Sequence, residues 1–337
     1  MKLNLEQVKK ITTGAVKIEE KDNFFSFSRF TDEQLNLYKT NKQDLYQKAL
    51  SSAGVKLSFK TNSNRLFLKI KTFYSSSRKY FALDVFVNES YIGCIDNFSN
   101  MQLPEDYTKL EFLAGDYSKG FDLGDGEKTV CVHLPWSVET LIEEISIDDG
   151  ALIEEVKNEK TLLAFGDSIT HGYDALHPSN RYISILADKL CADELNKAIG
   201  GELFFPELAS LKEPFNPDYI TVAYGTNDWN NVDKETFMAN CKGFYNNLSD
   251  LYPDAKIFAI TPIWRKDAFE ERKFGKFEEV GQCISEIVSD IKNITVISGY
   301  NFVPKEEKYF ADLRLHPNDK GFEYYAKNIL EQIKDKI

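Results

Sequence analysis

The hydrophobic pattern changes period near residue 150, and a chain with that change needs two different layer architectures. From about Gly54 to Ile147 apolar residues recur at every second position. Val55, Leu57 and Phe59 alternate with Lys56, Ser58 and Lys60, and Leu66, Leu68 and Ile70 alternate with Phe67, Lys69 and Lys71. Leu83, Val85 and Val87 follow, then Tyr91–Ile95 after a turn at Asn88-Glu89, Thr129–Leu134 and Ile145–Ile147. A strand with one buried face has this pattern. Turn clusters at Asn62-Ser63-Asn64, Ser75–Ser77 and Gly124-Asp125-Gly126 separate the strands. Short antiparallel strands with such joints predict a β-sandwich.

Beyond about Glu155 the strands become short continuous apolar runs: Thr161–Phe165, Tyr219–Tyr224, Lys256–Thr261 and Ile294–Ser298. Helical periodicity occupies Arg181–Leu190, Lys234–Leu251, Asp267–Ile291 and Asp319–Ile333. Buried strands alternating with amphipathic helices predict a parallel sheet covered on both faces. The charged stretch Glu154–Lys160 marks the boundary, giving a sandwich over residues 1–157 and an α/β domain over 158–337.

Composition excludes several classes of function. A net charge of −12 repels polyphosphate, so nucleic acid is a poor partner. No apolar run approaches the ~18–20 residues of a membrane span. The opening MKLNLEQVKKITTG has no apolar core behind its lysines, so a cytoplasmic protein is expected. Five cysteines at wide spacing suit neither a disulfide framework nor a zinc site, and buried thiols are expected. No metal or cofactor is called for.

Chemistry concentrates at Phe165-Gly166-Asp167-Ser168-Ile169-Thr170, directly after the first buried strand of the α/β half. Ligands of a parallel sheet bind at the carboxyl ends of its strands. A serine there on a tight turn can be a nucleophile if a base lies within hydrogen-bond reach. Of the four histidines, His133 lies in a sandwich strand, and His177 precedes Pro178 in a loop and is expected to be solvated. His171 is too close in sequence to be a comfortable base, and contact with substrate is its alternative role. His316, in Leu315-His316-Pro317-Asn318-Asp319, can fold back over the same sheet edge, so topology favours it.

The blocks GDSIT, Gly200-Gly201, Gly225-Thr226-Asn227-Asp228 and the late His-Pro together resemble the SGNH (GDSL-type) hydrolases. The resemblance implies a flavodoxin-like three-layer α/β domain that hydrolyses esters by acyl transfer to serine. It implies Ser168 as nucleophile, His316 as base, and an oxyanion hole of Ser168, Asn227 and Gly201, with Gly200 as a rival donor. The family places an aspartate three residues before the histidine, but here that position is Leu313 and the nearest acid is Asp312, four before. Either the loop bulges by one residue and Asp312 completes a triad, or a backbone carbonyl orients His316 in a Ser–His dyad.

Asp167 is expected to hold the turn. Trp229, Trp264 and Arg265 sit on loops at the sheet's carboxyl edge and are candidates, with Asp167 and His171, for the substrate pocket. The charge run Glu270–Lys276 reads as a solvated helix face, and Phe204-Phe205 as core. A sandwich ahead of such a domain is similar to carbohydrate esterase family two, acetyl esterases with a leading jelly-roll module. The resemblance therefore implies a small-molecule or oligosaccharide ester as substrate, with O-acetyl as the acyl group. A longer-chain lipase or thioesterase and an inactive glycan-binding protein are the alternatives.

Overall fold

The computed structural model describes residues 1–337. The alternating segments of the first half form two facing antiparallel sheets. One runs Thr12–Thr13, Lys56–Thr61, Lys128–His133, Ala82–Val87, Ser90–Asp96, with Glu154–Glu155 also beside Lys56–Thr61. The other runs Lys17–Lys21, Phe24–Ser28, Val138–Ile147, Arg65–Tyr74, Asp116–Asp122. The inward residues Leu57, Phe59, Leu66, Leu68, Ile70, Val130 and Val132 are fully buried between them. Asn88 and Glu89 both have positive φ, +47° and +65°, as a tight two-residue hairpin requires.

The second half contains one parallel sheet. Its strands, numbered within this sheet, are β1 Lys160–Gly166, β2 Ala192–Asn196, β3 Tyr219–Ala223, β4 Lys256–Ile260 and β5 Ile294–Ile297. Their order is 2-1-3-4-5 and every pairing is parallel, the flavodoxin-like arrangement. Both faces are covered. Leu162 and Ala164 pack with helices Tyr182–Lys189 and Asp319–Ile333, while Leu163 and Phe165 pack with Lys234–Leu251 and Phe277–Val288. This explains why β1 reads as a continuous apolar run.

The structure departs from the sequence expectation in four places. Helix Phe277–Val288 replaces the expected Asp267–Ile291, because Gly275 at φ +122° closes a hairpin of Glu271-Arg272 and Gly275-Lys276 that no helix can contain. The run Glu270–Lys276 is therefore a hairpin and not a helix face. Edge strand β2 and the strands Lys17–Lys21, Phe24–Ser28 and Asp116–Asp122 were not expected. Of the cysteines only Cys241 and Cys283 are buried, and Cys191 is exposed. Finally, helices Asp32–Asn41 and Gln43–Ala49 belong to the first half in sequence but pack on the α/β layer, where Phe30, Tyr38, Leu45 and Ala49 share one core with Phe165 and Val222. No helix is long and apolar enough to cross a membrane.

Candidate active site

Ser168 begins a short helix, Ser168–His171, at the carboxyl end of β1. Asp167 caps it, its Oδ1 accepting the Ile169 N–H at 3.0 Å. Gly166 is required for close approach, because a Cβ there would lie 2.4 Å from Thr170 Oγ1. The turn thus holds Ser168 rigidly, with its side chain at the surface of a cleft and its N–H free of any intrahelical acceptor.

His316 meets it from the C-terminal loop. Ser168 Oγ lies 2.8 Å from His316 Nε2, and His316 Nδ1 lies 2.8 Å from Asp312 Oδ2. An ionised carboxylate only accepts, so Nδ1 carries the proton and Nε2 is left to accept from the serine. Burial works against the charge on Asp312. The hydrogen bond and charge of His316, with the N–H groups of Leu315 and His316, outweigh it and hold the carboxyl well below the usual range. Leu313 makes the four-residue spacing possible: at φ +55° it is the one-residue bulge. A second carboxylate also faces the imidazole. Asp174 Oδ2 is 3.4 Å from His316 Nδ1, and Asp174 is itself clamped by Arg78 (2.5 and 2.8 Å) and the Tyr80 hydroxyl (2.7 Å) of the sandwich.

Opposite the histidine, the loop after β2 carries Gly200 and Gly201. The Gly200 N–H donates to His171 Nδ1 at 3.2 Å, whereas the Gly201 N–H has no protein acceptor. Gly201, at φ +89°, is therefore the donor available to an oxyanion. Asn227 follows the left-handed Gly225 after β3 and spends one N–H on the Glu202 carbonyl at 3.1 Å, keeping the other. Asp228 ties this turn to the neighbouring loop, accepting from Gly225 N at 3.2 Å and Phe204 N at 3.1 Å. Burial pushes its carboxyl up to about 7.

Ser168, His316, Gly200, Gly201 and Asn227 line one cleft of about 420 Å³, bounded also by Lys48, Ser77, Arg78, Arg265 and Arg314, with Asp312 behind the histidine. Only two of its fifteen lining residues are hydrophobic. Ser168, His316 and Asp312 are thus joined in one hydrogen-bonded chain, with the Gly201 N–H and the Asn227 amide across the cleft from it.

The sequence profile of the GDSL-like lipase/acylhydrolase family matches residues 164–324, which span every one of those blocks. Residues 164–324 form a GDSL (SGNH) hydrolase domain. No curated protein sequence matches it. Among solved structures, the salicylyl-acyltransferase SsfX3 from a tetracycline biosynthetic pathway is 18% identical with a TM-score of 0.79, covering 96% of this chain and 94% of that one. A family two carbohydrate esterase from Cellvibrio japonicus is 16% identical, TM-score 0.67, covering 99% and 97%. Another from Clostridium thermocellum, in complex with cellohexaose, is 16% identical, TM-score 0.62, covering 85% and 93%. Sandwich and α/β domain together form the fold shared with these neighbours.

Of the pocket candidates in this GDSL hydrolase, Arg265 lines the cleft and four do not. His171 is fully buried beneath the oxyanion loop, with Nε2 3.0 Å from the Trp136 carbonyl and 2.8 Å from Ser51 Oγ. Trp229 is fully buried against Phe277 and supports the guanidinium groups of Arg265 and Arg272 from behind. Trp264 packs on Phe310. Asp167 lies behind the serine, where burial pushes its carboxyl up to about 6. Phe204 and Phe205 are core. His177 is only partly exposed and is paired rather than free: its Nδ1 is 2.7 Å from Asp84 Oδ1 of the sandwich. Sequence reasoning missed Asp174, Lys48 and Arg78. Lys48 and Arg78 come from the first half and carry no motif. Asp174 follows the GDSIT block closely, which is the only signal it offers.

Proposed function

We propose that this GDSL hydrolase releases short acyl groups, acetyl foremost, from small hydroxylated alcohols of the carbohydrate type. Ser168 Oγ attacks the ester carbonyl as His316 Nε2 takes its proton. The carbonyl oxygen becomes an oxyanion facing the N–H groups of Ser168 and Gly201 and the Asn227 amide, one such donor being worth ~2.7–4 kcal/mol. Collapse breaks the ester C–O bond, and His316 returns the proton to the departing alcohol. A water, deprotonated by the same imidazole, then attacks the acyl-serine, and Ser168 is regenerated.

The polarity of the cleft walls supports this reading over a lipase. A long acyl chain gains about 0.8 kcal/mol for each CH₂ it buries in apolar surroundings, and walls with two hydrophobic residues in fifteen supply little of that. The fold shared with family two carbohydrate esterases is consistent with it.

The test is initial rates on aryl esters from acetate through octanoate, with Ser168→Ala beside the parent. Acetate is expected to be the best acyl group, and the variant to lose at least ~10⁴-fold in kcat. A rate rising with chain length would move the assignment to a lipase or thioesterase, and absence of turnover would make the protein a binder.

A further inference from the structure

The cleft is cationic in a protein that is not. Against a net charge of −12, its lining gathers Lys48, Arg78, Arg265, Arg272 and Arg314, with Asp267 as the only acid among the lining residues. The pairing of these cations is uneven. Arg78 is satisfied by Asp174. Arg265 holds Asp267 in a bidentate grip, Nε to Oδ1 at 2.6 Å and Nη2 to Oδ2 at 3.0 Å. Arg272 and Arg314 then approach the same Oδ2 only loosely, at 3.4 and 3.5 Å. Three guanidinium groups thus converge on one carboxylate. Arg272 has a further partner in Glu270, whereas Arg314 has none and is half exposed. Lys48 spends one of its three N–H donors on the Gly200 carbonyl at 2.8 Å and makes no ion pair.

Guanidinium groups with free N–H edges match carboxylate or phosphate oxygens. Trp229, beneath Arg265 and Arg272, fixes them in place, so little order is lost when an anion arrives. The side of the ester is also indicated. The alcohol departs on the His316 side, because His316 must reach its oxygen, and Arg314 is two residues from His316 on the same loop.

We propose that the substrate's alcohol moiety carries an anion, a carboxylate or a phosphate, which Arg272 and Arg314 bind beside the scissile ester. The class is acylated sugar acids, sugar phosphates or hydroxy acids. This inference rests on the esterase reading and narrows its substrate.

The experiment compares kcat/KM for 3-acetoxybenzoate, its neutral methyl ester and 3-acetoxyphenyl phosphate, each corrected for its hydroxide-catalysed rate. One anionic acetate is expected to exceed the neutral one by about tenfold or more, with the advantage shrinking as salt is added. Which anion leads distinguishes carboxylate from phosphate. Arg314→Gln and Arg272→Gln are expected to collapse the anionic-to-neutral ratio. Inhibition of methyl-ester hydrolysis by 3-hydroxybenzoate, measured on the parent protein, reads the same site without a variant; it is expected to be tighter than inhibition by methyl 3-hydroxybenzoate. Equal rates on charged and neutral acetates, with equal inhibition, would overturn the anion site and leave the esterase reading standing. No turnover of any of the three would overturn the esterase reading itself.

Discussion

Leu313 occupies a left-handed conformation that costs an L-residue roughly 1–2 kcal/mol. The return for that strain is the 2.8 Å contact of Asp312 with His316 across an irregular spacing. The two carboxylates on the imidazole are unequal. Asp312 accepts the Nδ1 proton directly and also receives the backbone N–H of Leu315 and His316, whereas Asp174 stands farther off and is committed to Arg78 and Tyr80. Asp312→Asn is expected to lower kcat by about 10³–10⁴-fold, because an amide can hold the imidazole in the wrong tautomer. Asp174→Asn is expected to cost about tenfold, and equal losses in the two variants would refute this ranking. Glu202, between the tyrosines Tyr38 and Tyr224 at 2.5 and 2.9 Å, gives a pH signature. Burial, opposed by those hydrogen bonds, raises its carboxyl from 4.5 to about 7. A group raised on folding stabilises fully below its unfolded value and loses that contribution as pH climbs through the folded one. The melting temperature of Glu202→Gln minus that of the parent is therefore expected to grow between pH ~4.5 and ~7 and to level off above. A flat difference across that range would mean that Glu202 is ionised throughout.

At the scale of elements, the loop after β2 is held by two buried side chains. Arg29 donates to the carbonyls of Asn196 at 2.5 Å and Ala198 at 3.3 Å, and also to Ser51. His171 bridges Ser51 and Trp136 to the Gly200 N–H. Burial, helped by the charge of Arg29, pushes the His171 pKa well below 6.5, so the ring stays neutral and Nδ1 keeps the lone pair that accepts from Gly200. His171→Phe is expected to lower kcat about tenfold at unchanged KM, a part of the 10²–10³ that one oxyanion donor is worth. A change in KM alone would place His171 in substrate binding instead. This element also shows why some structure was legible and some was not. The runs of β1, β3, β4 and β5 are apolar because both faces are covered, and the GDSIT and Gly225–Asp228 blocks sit at the ends of β1 and β3. Strand β2 reads Ala-Asp-Glu-Leu-Asn, and its fully buried Glu194 is paired with Arg181 at 2.8 Å, so the partner that makes burial tolerable is invisible in the local pattern. The bulge at Leu313 left Asp312 open as a candidate, and only the backbone conformation places it. The clamp on Asp174 was not legible at all, because Arg78 and Tyr80 lie nearly a hundred residues away in a domain of different period.

For the whole molecule, the seam between sandwich and α/β domain is built like an interior. Phe30, Tyr38, Leu45 and Ala49 complete the core beside β1 and β3. Fully buried Lys197 pairs with Glu213 at 2.9 Å and donates to the Arg29 carbonyl at 2.6 Å and Gln34 at 2.8 Å. Tyr107 and Trp136 of the sandwich donate to the Asp174 and Ala175 carbonyls. Removing the first half would uncover the α/β-domain side chains of that core, Phe205 against Tyr38 among them, each worth ~1.5–3 kcal/mol when buried. It would also strip hydrogen-bond partners from buried charge, which is more costly still. Two domains joined through such a seam should unfold as one. Calorimetry of the full chain is expected to show a single transition whose calorimetric and van't Hoff enthalpies agree. Residues 158–337 produced alone are expected to lack fixed tertiary packing, seen as loss of the near-ultraviolet circular dichroism of Trp229 and Trp264, and to show no esterase activity. Two resolved transitions, or an active isolated domain, would mean that the sandwich is an appendage and that Arg78 and Lys48 are dispensable to the cleft they line.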